Sequence, residues 1–192
     1  WLGGQGATNS TDISNVYALQ IPASTQLYIF LAFMLAYAIK IPVFPFHTWQ
    51  PDTYTFSPSP ATMLLSGVML KMGLYSIIRW ILPVVPEAVN EYGRIIMILA
   101  AVGVFYASAI AWLQKDLKRL FAYSSIAHVG LITAGILTAT EIGLQGSMLQ
   151  MMAHGINVVG LFYVCQILFR KFGNHDINAM GGLRLNAPLF AG

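Results

Sequence analysis

Two lysines lie in stretches of the chain that are otherwise apolar enough to cross a lipid bilayer. Lys40 and Lys71 occupy these stretches, while the seven acidic residues lie in predicted loops or at predicted helix ends. A charged side chain at the bilayer centre costs at least about 2.5–3.5 kcal/mol, so it is retained where it faces a bundle interior or a water-filled path. The two lysines therefore predict a site that handles charge, and a buried lysine suits reversible proton binding.

Two histidines could extend a proton path away from the lysines. His128 and His154 lie within predicted helices, and histidine is the side chain that titrates closest to neutral pH. Four polar side chains on the same helices could support a relay: Ser124, Ser125, Gln150 and Asn157. A buried histidine can equally be a packing residue, and the sequence leaves that alternative open.

Other chemistry finds little support in the sequence. No two His, Cys, Asp or Glu residues stand at ligand spacing within one predicted helix, and the single Cys165 lies in an apolar run. We therefore expect no metal site and no disulfide within the chain. The sequence contains no phosphate-binding glycine loop, nucleophile elbow or dinucleotide fingerprint. We expect no catalytic residue, no cofactor and no nucleic-acid partner for this chain.

The composition indicates a polytopic membrane protein. Hydrophobic residues make up 57% of the 192 residues and charged residues 9%, whereas soluble domains carry roughly 25% charged residues. A spanning helix needs about 20 mainly apolar residues. Five segments meet that length: 24–46, 60–82, 92–113, 117–138 and 142–169. We expect residues 1–23 to form a connecting loop and a further helix to begin near 186–192.

The surroundings of the two lysines differ. Pro42 and Pro45 should break the first helix beside Lys40, and membrane proteins tolerate such breaks where they line a wet cavity. The alternative is a plain kink, with Lys40 reaching the membrane surface. Lys71 lies deep in a helix predicted to be unbroken, too far from either surface to do the same. Alternatively, Lys71 is a structural residue whose charge is held by backbone carbonyls.

The distribution of basic residues predicts the orientation of the helices. Cytoplasmic loops carry the excess of Lys and Arg. Six basic residues fall on one predicted side: Lys115, Lys118, Arg119, Arg170, Lys171 and Arg184. Only Arg79 and Arg94 fall on the other side. The six-residue side should therefore be cytoplasmic, which makes residues 1–23 an extracytoplasmic loop. His47 and His175 are expected at the membrane interfaces.

Several motifs resemble the antiporter-like subunits of respiratory complex I. They are the stretches Lys40 to Asp52, Ser59-Pro60, Leu70 to Tyr75 and Asp116 to Ser125. Gln150 to Gly155 and Met180 to Leu183 look most like the M-type subunits, the counterparts of mitochondrial subunit 4. The resemblance covers residues from about 25 to 192. Since the chain also starts and stops abruptly, we expect an internal fragment of a longer polytopic protein.

This resemblance implies an inverted-repeat fold of fourteen or so helices, of which the five here would be the seventh to the eleventh. Lys40 would be the lysine of the first broken helix, whose charge responds to a glutamate outside residues 1–192. Lys71 would be the central lysine, and His128 and His154 would lie on the polar axis that follows it. One departure is Gln50, where the family usually has Leu.

The resemblance also implies a function. The chain would be a proton-translocating subunit of NADH-quinone oxidoreductase, with NADH, FMN, iron-sulfur clusters and quinone held by partner subunits. Its neighbours would be L-type and N-type subunits, in a bacterial cytoplasmic membrane in preference to a mitochondrial one. Three alternatives stay open: a D-type subunit of a multi-subunit sodium/proton antiporter, a membrane subunit of an energy-converting hydrogenase, and a bundle that only holds partners together.

Overall fold

The computed structural model describes residues 13–180, and all the regular secondary structure in this range is helical. Five helices are long and apolar enough to cross a membrane: α2 (Ala23–Lys40), α4 (Ser59–Val84), α5 (Pro86–Trp112), α6 (Leu117–Leu137) and α7 (Glu141–Phe172). Shorter elements are α1 (Ile13–Tyr17), α3 (Trp49–Phe56) and a 3₁₀ turn at Ile177–Met180. The prediction of an all-α polytopic membrane protein is confirmed.

Helix boundaries follow the predicted segments with two differences. The predicted first helix runs to residue 46, whereas α2 ends at Lys40. The predicted third helix starts at residue 92, whereas α5 starts at Pro86. Proline is favoured at the first helical position, and Glu87 in the first turn complements the helix dipole, so this polar stretch joins the helix instead of the loop. Residues 1–12 and 186–192 lie outside the described residues, and α1 lies within the predicted loop.

Side-chain caps begin two of the spanning helices. The Asp116 side chain accepts a hydrogen bond from the Arg119 backbone N–H at 2.9 Å, and the Thr140 hydroxyl accepts one from the Gly143 N–H at 3.1 Å. Ser59 does not cap α4, because it is already the first helical residue and its hydroxyl donates to the side chain of Gln166 in α7. Ser59 therefore joins two helices instead of capping one.

The break after α2 is closed by other hydrogen bonds. A helix loses two backbone donors at Pro42 and Pro45, which would leave carbonyls of the last turn unpaired. The indole N–H of Trp49 donates to the Ile39 carbonyl at 2.9 Å and takes up one of them. The chain then turns into the short helix α3. Lys40 ends α2, where a positive charge is favourable because it faces the negative end of the helix dipole.

Helix α6 packs against α5 on one side and α7 on the other, and α4 packs against α7 and α2. The larger apolar core joins α2, α4, α5 and α6 through side chains such as Phe30, Leu74, Ala100 and Ile132. A smaller cluster joins α3, α6 and α7: Tyr54, Ala122, Val158 and Phe162. The short helix after the break is thereby fixed to the two helices that carry the histidines.

The sequence predicts an uninterrupted α-helix here, but α4 contains two interruptions. Two π-helical turns, Leu65–Met69 and Ile77–Ile81, lie on either side of Lys71. In the first turn the Leu70 N–H bonds to the Leu65 carbonyl, five residues back. A π turn shifts the hydrogen-bond ladder by one residue, so a carbonyl near its end becomes available to another donor.

Two cations at the start of α6 hold the far end of α3. Lys118 is 4% exposed, and its ammonium donates to the Ser57 carbonyl at 2.9 Å, where α3 ends. Arg119 forms an ion pair with Asp52 in the first turn of α3. The ion pair is exposed and contributes little. The buried Lys118 bond is the stronger link between α3 and α6.

We expect Lys118→Met to loosen this link. The substitution keeps the length of the side chain but removes the donor to the Ser57 carbonyl, a loss of about 1–2 kcal/mol. We expect a lower unfolding midpoint, measured on the complete purified protein. Lys115→Met, at an exposed position, is the control and should leave the midpoint unchanged. Equal midpoints for both variants would contradict a holding role for Lys118.

Candidate proton-relay site

Lys71 lies on the side of α4 that faces α7, directly after the first π turn. Its ammonium donates to the carbonyl of Ser66, the second residue of that turn. An ammonium has three donors and no acceptor, so burial in an apolar bundle requires carbonyl or nitrogen partners around it. The π turn therefore supplies one of the acceptors that hold the lysine.

His154 supplies the second acceptor, from α7. The Lys71 Nζ lies 2.9 Å from the His154 Nδ1, and the histidine is 5% exposed. This contact joins two ionisable side chains that are 83 residues apart in the sequence. A proton on the lysine can pass to the histidine along this bond, after which the other ring nitrogen becomes the donor.

Two glycines bring α4 and α7 close enough for this contact. A Cβ atom added at Gly155 would lie 3.3 Å from the Gly67 carbonyl oxygen and 3.4 Å from the Lys71 Cε. A Cβ atom added at Gly67 would collide with Val159 at 2.5 Å. Small residues allow helices in membranes to approach closely. The distance between Lys71 and His154 therefore depends on the absence of side chains at this crossing.

His128 follows His154 in the polar chain. The two rings have centroids 5.5 Å apart and are tilted by 43°. The His128 Nδ1 in turn lies 3.5 Å from the Gln150 amide nitrogen. This spacing places the second histidine one short step, or one bridging water, beyond the first.

A cavity of about 580 Å³ adjoins the two histidines. Its polar lining consists of Ser124, Ser125, His128, Gln150, His154 and Asn157. These are the two histidines and the four supporting residues that the sequence analysis selects on α6 and α7. The cavity is large enough for several waters and has the polar partners that ordered water needs.

Lys40 does not belong to this group of side chains. Its stem lies near Gly73, since a Cβ added there would be 3.7 Å from the Lys40 Cγ. Gly73 follows Lys71 by two residues, which corresponds to about 200° around a helix. The two lysines therefore lie on opposite sides of α4. Among the described residues, the Lys40 ammonium has no hydrogen-bond or ion-pair partner.

The two remaining histidines pack against aromatic rings. His47 is 3% exposed and its ring stacks on Phe44. His175 stacks on Phe169, and its Nδ1 lies 3.5 Å from the Sγ of Cys165. Burial lowers the pKa of His175, and the nearby Lys118 lowers it further. Neither histidine contacts the group around Lys71.

Sequence reasoning missed two parts of the site. The Ser66 carbonyl became a partner of Lys71 through the π turn, and π turns have no recognised sequence signal. The close crossing at Gly67 and Gly155 did leave a signal, because small residues on two spanning helices favour a tight contact. Gly67 lies four residues before Lys71 and Gly155 directly follows His154, so the pair could have been found from the sequence.

Comparisons with known proteins identify the family of the chain. The model of the NADH:quinone oxidoreductase/Mrp antiporter transmembrane family matches residues 2–192. NADH-quinone oxidoreductase subunit M of Rickettsia prowazekii is 38% identical over 185 residues, which is 95% of this chain and 38% of that protein. The chain thus spans about two fifths of the length of this curated relative.

Two solved structures share the fold. A chain of respiratory complex I from Thermus thermophilus with bound NADH superposes with a TM-score of 0.93 at 29% identity, over 99% of this chain and 41% of that one. A chain of the membrane-bound sulfane sulfur reductase, an archaeal respiratory membrane complex, gives 0.86 at 26% identity, over 98% and 39%. Since the family model matches almost the whole chain, the chain belongs to the NADH:quinone oxidoreductase/Mrp antiporter transmembrane family.

Proposed function

We propose that the complete protein is a proton-translocating membrane subunit of NADH-quinone oxidoreductase. The observation that carries the proposal is the 2.9 Å contact between Lys71 and His154 inside a bundle of spanning helices, with His128 beside it. These three ionisable groups lie side by side and form a path that a proton can follow. Identity to the subunit M relative over 95% of this chain supports the choice of complex.

The proposed mechanism assigns different roles to the two lysines. Lys71 binds and releases the transported proton and exchanges it with His154 and then His128. Lys40 acts as a charge on the opposite side of α4. A change in its pairing with a glutamate, which by resemblance lies outside residues 1–192, alters the proton affinity of Lys71. Each step moves a proton or a charge, and no bond to carbon is made or broken.

The proposal places the redox chemistry in other subunits. NADH, FMN, iron-sulfur clusters and quinone would be bound there, and this chain would contribute to the enzyme as its translocating part. L-type and N-type subunits would be its neighbours, and a bacterial cytoplasmic membrane its location. The bacterial subunit M relative supports this location.

A subunit of an Mrp-type antiporter is the second candidate, because the family model that matches the chain includes both kinds of complex. The likeness to the archaeal sulfane sulfur reductase supports a third, related complex. Purification of the native complex and identification of its other subunits would separate them. Flavin and iron-sulfur subunits that oxidise NADH favour the first candidate, and a small set of antiporter subunits without redox centres favours the second.

Substitution of Lys71 tests the proton-carrier role. We expect both Lys71→Met and Lys71→Arg to reduce the number of protons moved per electron in the complete complex by the share that this subunit carries. Methionine binds no proton, and arginine keeps the charge but does not release its proton at physiological pH. Proton uptake and NADH oxidation would be followed together in vesicles. Wild-type pumping by Lys71→Arg would show that only the charge matters and would contradict the carrier role.

Substitution of Lys40 should give a different pattern. We expect Lys40→Met to reduce pumping and Lys40→Arg to retain most of it, because the proposed role requires a positive charge and no proton release. The same vesicle assay measures both variants beside the two Lys71 variants. If assembly were altered but pumping per electron stayed normal in Lys40→Met, the residue would be structural and the bundle would merely hold partners.

The crossing of α4 and α7 provides a test of geometry. We expect Gly155→Val to force the helices apart, since even a Cβ at this position lies 3.3 Å from the Gly67 carbonyl oxygen. The Lys71–His154 contact would lengthen, and pumping would fall severalfold while all ionisable groups remain. Gly146→Val on the same helix is the control, because a Cβ there meets nothing within 4 Å. Equal pumping by the two variants would argue against transfer along this contact.

A further inference from the structure

Helices α4 and α7 share a second polar contact besides the one between Lys71 and His154. The Ser59 hydroxyl, at the start of α4, donates to the side-chain carbonyl of Gln166 in the last turns of α7. Ser59 is 3% exposed, and the two residues are 107 positions apart in the sequence. Neither side chain has a part in the proton relay proposed above.

The two polar contacts lie at matching positions on the two helices. Lys71 follows Ser59 by twelve residues, and His154 precedes Gln166 by twelve residues. At 1.5 Å of rise per residue, each helix advances by roughly 18 Å between the two contacts. The equal spacing indicates that α4 and α7 run in opposite directions and keep one axial register over this whole stretch.

A third contact between the same helices agrees with this register. A Cβ atom added at Gly67 would collide with the Val159 side chain. Gly67 follows Ser59 by eight residues, and Val159 precedes Gln166 by seven. The middle contact thus lies where the two outer contacts require it. A slide of either helix by one turn, about 5.4 Å, would take both polar pairs beyond hydrogen-bond distance.

The contact between Lys71 and His154 cannot hold this register at every step of transport. When the proton moves, the donor and the acceptor exchange roles, and two protonated groups at this distance repel each other. The Ser59 hydroxyl and the Gln166 amide do not titrate in the physiological range, so their bond keeps its donor and acceptor throughout. The glycine crossing allows close approach but provides no directional bond.

We propose that Ser59 and Gln166 are positioning residues that keep Lys71 opposite His154 while the proton moves. This inference rests on the proposed function, because it gives the bond a role in transfer along that contact. A polar pair within an otherwise apolar helix contact can specify one register, as a buried polar residue does in coiled coils. Without the bond, α4 could slide along α7 whenever the Lys71–His154 bond is broken.

Ser59→Ala in the complete complex tests the positioning role. The substitution removes the donor to Gln166, so we expect the share of pumping that this subunit carries to fall severalfold, since proton transfer is sensitive to small misplacements. Protons moved per electron would be measured in vesicles, as for the Lys71 variants. Ser59→Thr keeps the hydroxyl and should restore most of the pumping. Equal losses in the two variants, or no loss in either, would overturn the proposal.

Ser76→Ala is the matched control on the same helix. Its hydroxyl donates to the Met72 carbonyl at 2.7 Å, within α4, so this bond does not fix α4 against α7. We expect this variant to pump like the wild type. A loss as large as that of Ser59→Ala would show that any missing hydroxyl on α4 has the same effect, and would overturn a specific role for Ser59.

A structure of the Ser59→Ala complex separates positioning from general stabilisation. We expect the complex to assemble and the Lys71–His154 separation to exceed the 2.9 Å of the unmodified protein. Lost pumping with an unchanged separation would overturn the proposal. If Ser59→Ala fails to assemble, Gln166→Leu removes the acceptor from the other helix, and the same two measurements apply with the same expected results.

The Lys71 variants distinguish a failure of this inference from a failure of the proposed function. If Lys71→Met pumps normally, the relay itself is wrong and the positioning role falls with it. If Lys71→Met loses the share of this subunit while Ser59→Ala pumps normally, the relay stands and only the role of Ser59 and Gln166 is overturned.

Discussion

The contact between α4 and α7 is built around one partly buried ammonium group that needs acceptors. Lys71 lies in an apolar helix where an unpaired charge would be prohibitive, and the fold meets its needs with a backbone carbonyl and an imidazole nitrogen. The first requires a π turn in α4, and the second requires that α7 approach through Gly67 and Gly155. Two features that look like local irregularities are thus consequences of a single charge. A lysine held in this way is also close to a group that can accept its proton.

The proline break determines where α2 ends and how the chain continues. It ends α2 at Lys40 and turns the chain into α3, and the freed Ile39 carbonyl is then bonded by the Trp49 indole. The break therefore leaves fewer open carbonyls near Lys40 than proline chemistry alone suggests, since the Ile39 and Ala38 carbonyls are both bonded. What it does leave is a lysine without a partner among residues 13–180. Such a charge is free to respond to a group elsewhere in the complete protein.

Much of this fold could be predicted from the sequence, because spanning helices are dictated by hydropathy and length. Three of the five helices end within three residues of their predicted limits. The early end of α2 and the early start of α5 were missed, since each depends on how a proline and its neighbours share hydrogen bonds. At the site, ionisable residue types indicated Lys71, His128 and His154. The order Lys71, His154, His128 could not be predicted, because it depends on how α6 and α7 pack against α4.

The placement of the two lysines on opposite sides of α4 explains how one could influence the other without contact. A helix with its side chains is about 10–12 Å across. At roughly 10 Å and an effective dielectric constant of about 20, two unit charges interact by about 1.7 kcal/mol, which changes a proton-binding constant by roughly fifteenfold. An interaction of this size changes how readily a lysine holds its proton. The interaction energy is also small enough that moving or pairing the Lys40 charge would cancel it.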